Sequence, residues 1–157
     1  ATTGRTHHRT PNIITSLELD PAEMEKRNIH LQKKYAEIEE NEVRFEELHC
    51  EDAEYLIVAF GSCARIAQKA MEMAREEGIK VGLLRPITLW PFPSKAIAAR
   101  AAQVKGILTV ELNAGQMVED VRLAVKCKVP VEHFGRLGGI VPDPDEVITA
   151  LKEKLIK

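Results

Sequence analysis

Residues 55–84 read YLIVAFGSCARIAQKAMEMAREEGIKVGLL. Tyr55 to Phe60 is an unbroken apolar run closed by Gly61, the pattern of a strand covered on both faces. After Cys63, the residues Ile66, Ala67, Ala70 and Ala74 recur at +3, +4, +7 and +11. That is the single stripe of an amphipathic helix, stopped at Glu77-Gly78. Ile79 to Leu84 is a second apolar run. Strand, helix and strand in about 30 residues make a βαβ unit, with parallel strands and a right-handed crossover.

The alternation continues downstream. Trp90-Pro91-Phe92-Pro93 interrupts the chain, and Ser94 is placed to cap an alanine-rich helix reaching about Gln103. Ile107–Leu112 predicts a third strand. Asn113 then reads as the cap of a helix, with Gln116 as its capping-box partner and Met117, Val121, Ala124 and Val125 on its core face. Val129–Phe134 predicts a fourth strand. Asp143-Pro144-Asp145-Glu146 opens a last helix carrying Val147, Leu151 and Leu155. Strands linked by short helical crossovers predict a three-layer α/β/α sandwich with a mainly parallel sheet over residues 52–157.

Upstream the pattern is different. Residues 1–20 are polar without a period and read as a linker. Asp20-Pro21-Ala22-Glu23 signals a helix start. Of the 27 residues 21–47, 13 are charged, while Met24, Leu31, Tyr35 and Ile38 form one narrow stripe. Residues 21–48 therefore read as a charged connector helix, either a surface helix or an arm that touches another subunit. The chain opens ATTGRTHH, which reads as a piece of a longer protein entered in a linker.

With 157 residues, 45% hydrophobic and 29% charged, the composition suits one soluble globular domain. Lys+Arg 22 against Asp+Glu 24 leaves a net charge of −2, which argues against nucleic-acid and membrane-surface binding. No apolar run approaches the roughly 18 residues of a spanning helix. Three cysteines without close pairing suit a reduced, cytoplasmic setting.

In an open α/β sheet, ligands and partners meet the carboxyl ends of the strands. Ser62, Arg85, Glu111, Asn113, Gly115, Gln116 and Arg136 fall there. Ser62 opens a helix, where it either caps the backbone or faces an anion. Glu111 ends an apolar strand and needs a partner; Arg85 or Arg136 can supply it, or a neighbouring domain or cofactor can. Cys63 reads as a small buried hydrophobe and His133 as a partly buried histidine. His7 and His8 suggest no metal site. Neither GxGxxG nor GxxxxGK[ST] occurs, and there is no CxxC pair. No nucleophile, base and orienter come together, so no catalytic, cofactor-binding or metal residue is expected in this chain.

Two segments resemble a known group. Gly61 to Pro93, ending AREEGIKVGLLRPITLWPFP, is similar to the transketolase C-terminal-like domain. ELNAGQM at 111–117 is similar to the E-x-N-x-G-Q pattern of the 2-oxoacid:ferredoxin oxidoreductases. The stretches Thr3 to Asn12 and Leu31 to Glu42 resemble the linker and arm of the same group, and the branch acting on 2-oxoisovalerate is the most similar. The resemblance implies oxidative decarboxylation of a 2-oxoacid to an acyl-CoA. It implies thiamine diphosphate, Mg2+ and [4Fe–4S] clusters for the complete enzyme, with ferredoxin and coenzyme A as its partners. For this chain it implies other subunits and domains as neighbours, and a role in assembly and site shaping. Alternatives are the equivalent domain of a 2-oxoacid dehydrogenase or transketolase, and a stand-alone flavodoxin-like binding module.

Overall fold

The computed structural model describes residues 10 and 16–156. Most of the expected linker, with His7 and His8, lies outside the described residues. The chain divides into two compact units, Ala1–Glu37 and Ile38–Lys157.

Helix α1 (Pro21–Asn41) starts where Asp20 accepts the backbone N–H groups of Ala22 (2.8 Å) and Glu23 (3.2 Å), so the expected cap is in place. None of its residues is buried. It ends seven residues short of the expected 48. Residues Phe45–Leu48 form strand β1 instead, paired antiparallel with β3 (Val81–Pro86). The tetrad Phe-Glu-Glu-Leu has no strand signal of its own, and pairing with an exposed sheet edge overrides its local preference.

The other strands are β2 (Tyr55–Ala59), β4 (Gly106–Glu111) and β5 (Val131–Gly135). They lie in the order β1-β3-β2-β4-β5, parallel throughout except for β1. Between them run α2 (Gly61–Glu76), α3 (Ser94–Ala101), α4 (Met117–Val125) and α5 (Pro144–Leu151), the last continuing as a π-helical turn, Lys152–Ile156. Alternation along each strand divides the core. Ile57, Ala59, Leu108 and Val110 pack against α2 and α5 on one face. Leu56, Val58 and Ile107 pack against α3 and α4 on the other. The architecture is thus the expected three-layer α/β/α sandwich with a mainly parallel sheet.

Two clamps fasten β1 and the chain that follows it. Arg100 on α3 grips Glu47 with a two-pronged contact, Nε to Oε1 at 2.9 Å and Nη2 to Oε2 at 2.7 Å, and also reaches the carbonyl of Cys50. Hydrogen bonding from Arg100 holds the Glu47 carboxyl below the usual carboxylate range, against an upward push from burial. On the other flank Arg75 joins Asp52 to the carbonyls of His49 and Val81.

Candidate functional site

The chain leaves β2 for one side of its strand order and returns to β4 on the other, so the connections diverge between these two strands. α2 departs over one face and α4 over the opposite face. At such a switch point ligands meet the carboxyl ends of the strands, which here carry the Phe60–Ser62 turn and the 111–117 loop.

On the β2 side, Gly61 takes φ 56°, which lets the strand turn at once into α2. The N-cap is Phe60, without a side-chain cap, and Ser62 is exposed inside the first turn. Ser62 therefore does not cap α2 as expected. Cys63 behind it is buried; burial raises its thiol, and the negative charge of Glu111 pushes the same way. It is a packed apolar group, as expected.

On the β4 side, Glu111 is 1% exposed. Its partners are not the arginines. Oε2 accepts the backbone N–H groups of Gln116 (3.2 Å) and Met117 (2.9 Å), and Oε1 that of Val118 (3.0 Å). The carboxylate thus fills the N-terminus of α4, where free N–H groups and the helix dipole favour negative charge. Arg85 instead donates to Glu46 across the β1–β3 pair at 2.9 Å, and Arg136 to Glu146 of α5, also at 2.9 Å. Each arginine found a nearer carboxylate, while Glu111 found donors within its own loop. Asn113 is likewise not the helix cap. Its Oδ1 accepts the N–H of Gly115 at 2.7 Å in a local turn, Gly115 sits at φ 110°, and Gln116 is the N-cap.

His133 of β5 stands beside this group, its side chain 21% exposed. Nδ1 lies 3.4 Å from Glu111 Oε1 and 3.2 Å from Thr109 Oγ1. The Thr109 hydroxyl donates to the carbonyl of Glu132, so it accepts from Nδ1–H when the imidazole carries its proton there. Gly135 makes room for this packing: a Cβ there would collide with the carbonyl of Asn113 and the His133 ring. Strand end, loop and helix start are therefore locked together.

The structure brings six of the seven rim residues to this end of the sheet through β2, β4 and β5, with Arg85 on β3 completing the row. Reading residue types alone missed the bond between Glu111 and the start of α4. The available signal was distance, since a strand-terminal carboxylate five to seven residues before a helix can reach its free N–H groups. Among the described residues, no group of three or more His, Cys, Asp or Glu side chains is placed to hold a metal ion. Cys50 and Cys63 are buried and Cys127 is exposed. Among the same residues no helix is long and apolar enough to cross a membrane.

Residues 53–147 match the family of pyruvate:ferredoxin oxidoreductase core domain II. The chain is 49% identical over 142 residues to ketoisovalerate oxidoreductase subunit VorB of Methanothermobacter thermautotrophicus, covering 90% of this chain and 40% of that subunit. It thus spans well under half the length of this relative. Its fold is similar to a solved 2-oxoglutarate:ferredoxin oxidoreductase from Magnetococcus marinus, which has 2-oxoglutarate, coenzyme A and succinyl-CoA bound. That likeness has a TM-score of 0.74 at 25% identity and covers 87% of this chain and 24% of the other. A split-gene transketolase shares the fold with a TM-score of 0.62 at 20% identity, over 72% of this chain and 41% of its own.

Proposed function

The chain belongs to the pyruvate:ferredoxin oxidoreductase core domain II family, and from that premise we propose that it is part of a 2-oxoacid:ferredoxin oxidoreductase subunit whose substrate is 2-oxoisovalerate. The observation that carries the proposal is the 49% identity to a ketoisovalerate oxidoreductase subunit along 90% of the chain. Identity to a 2-oxoglutarate synthase subunit of the same organism is 35%, over 64% of the chain. The transketolase likeness is one of fold and supports no shared activity.

The complete enzyme in this reading is a cytoplasmic assembly of several subunits. It converts a 2-oxoacid to an acyl-CoA and CO2 and passes electrons to ferredoxin, using thiamine diphosphate, Mg2+ and [4Fe–4S] clusters. The described part of this chain does not fit the iron–sulfur clusters. Two of its three cysteines are buried and no acidic or histidine cluster is placed for a metal. No step through a cofactor is therefore assigned to its residues. Its role is assembly and the shaping of the site entrance. In this reading residues 1–20 are a linker and α1 a connector arm. The rim of Ser62, Arg85, Glu111, Asn113, Gly115, Gln116 and Arg136 is the edge turned toward neighbouring domains.

The test is coenzyme-A-dependent reduction of ferredoxin by the assembled enzyme, with 2-oxoisovalerate, 2-oxoglutarate and pyruvate in parallel. We expect the highest kcat/KM with 2-oxoisovalerate. Preference for 2-oxoglutarate would overturn the substrate, and no turnover with any 2-oxoacid would overturn the activity. Calorimetric titration of the isolated chain with thiamine diphosphate is expected to release no heat of binding; tight binding would refute the division of labour.

A further inference from the structure

The exposed apolar side chains of the α/β unit are not scattered. Ile87, Leu89 and Trp90 follow β3, Leu112 follows β4, and Leu137 and Ile140 follow β5, all on loops leaving the carboxyl ends of the parallel strands. Trp90 is 55% exposed and Leu137 58%. Of the remaining exposed large hydrophobics in residues 38–157, only Leu123 lies away from this end. Single exposed hydrophobics are ordinary, but their collection on one edge marks a contact surface.

The charged groups among the seven rim residues are already committed. Arg85 is paired with Glu46, Arg136 with Glu146, and Glu111 with three backbone N–H groups of its own loop. Covering this edge would strand none of these charges without a partner, which is the usual obstacle to burying them. The middle loop is held at both ends by one carboxylate, so little order remains to be imposed on it by a partner.

We infer that this rim is a permanent docking surface for the remainder of the subunit's own polypeptide, and that its apolar side chains, rather than the charged residues between them, make the contact. The inference rests on the oxidoreductase reading above. It commits to that occupant for two reasons. The chain corresponds to 40% of the related subunit and 24% of the related solved chain, so in those proteins the domain has further polypeptide as its covalent neighbour. An apolar surface with its charges paired internally also suits a lasting contact better than the electrostatically steered encounter of an electron carrier.

Hydroxyl-radical footprinting compares the 157-residue chain alone with the same residues in the assembled oxidoreductase. Protection is expected at Trp90, Leu112 and Leu137, with labelling of Leu123 unchanged. In the assembled enzyme, Leu112→Glu and Leu137→Glu are each expected to cut the protection of Trp90 about tenfold, and Leu123→Glu to leave it unaltered. Circular dichroism of each variant separates lost docking from lost folding. Equal labelling of the rim in both samples, in an assembly that still turns over a 2-oxoacid, would overturn the inference and leave the oxidoreductase reading standing. Concentration-dependent dimerisation of the isolated chain, abolished by Leu112→Glu, would overturn it in favour of a second copy.

Discussion

Glu111 is where one side chain decides the most. Three backbone N–H groups and an imidazole converge on it at an otherwise apolar strand end. Glu111→Ala leaves those donors buried and unsatisfied, and we expect a loss of about 3 kcal/mol in urea unfolding. Glu111→Gln, which keeps one acceptor, is expected to lose less. The cysteines differ by environment rather than by sequence. Burial, reinforced by the negative charge of Glu47, pushes the Cys50 thiol up to about 11, and Cys63 is raised as well, whereas Cys127 is exposed. At pH 8 a thiol reagent is expected to modify Cys127 rapidly in the native chain and all three cysteines after unfolding. The raised folded value also fixes a sign. The folded chain keeps the Cys50 proton where the unfolded chain releases it, so this residue's contribution is intact below about pH 9 and falls as the pH rises toward 11. Thermal melts between pH 8 and 11 measure that decline, and Cys50→Ala is expected to flatten it.

Among the elements, those whose apolar pattern has a period are legible in the sequence. β2 and α2 follow from residues 55–76 almost as they stand, and α5 from its Asp143-Pro144 start, where Glu146 accepts the N–H of Asp143 at 3.0 Å. Two elements were not legible, for different reasons. β1 is four residues, two of them glutamates, whose strand character comes wholly from its partner β3. The start of α4 is hidden because Asn113 looks like a cap, whereas the working cap is a side chain on the preceding strand. Non-local partners of this kind leave no periodic trace. The edge strand also depends on its clamp. Arg100→Met is expected to cost about 2 kcal/mol and to speed hydrogen exchange at Glu46, Glu47 and Leu48, while exchange in β2 and β4 stays slow. Because Arg100 holds the Glu47 carboxyl low, the clamp's contribution is present above the normal carboxylate range and is lost as the pH falls through the depressed value.

At the scale of the whole molecule, the sheet sorts its surroundings by direction. Its two faces are closed by helices, and its carboxyl edge collects both the polar loop residues singled out from the sequence and the exposed hydrophobics between them. The polar residues were visible as a rim because strand ends can be read from the sequence. Their commitment to internal partners was not, since pairing depends on which carboxylate lies nearest in space. That internal pairing has a consequence for conditions rather than for contacts. A contact made through ion pairs loosens as salt is added, whereas one made through apolar edges with pre-paired charges is nearly indifferent to ionic strength. It also weakens on cooling, because the release of water from apolar surface drives it less at low temperature. Hydroxyl-radical footprinting of the complete enzyme is therefore expected to show the rim equally protected as salt is raised, and partly exposed near the freezing point. A domain docked in this way would lift from its neighbour in an ice bath sooner than in brine.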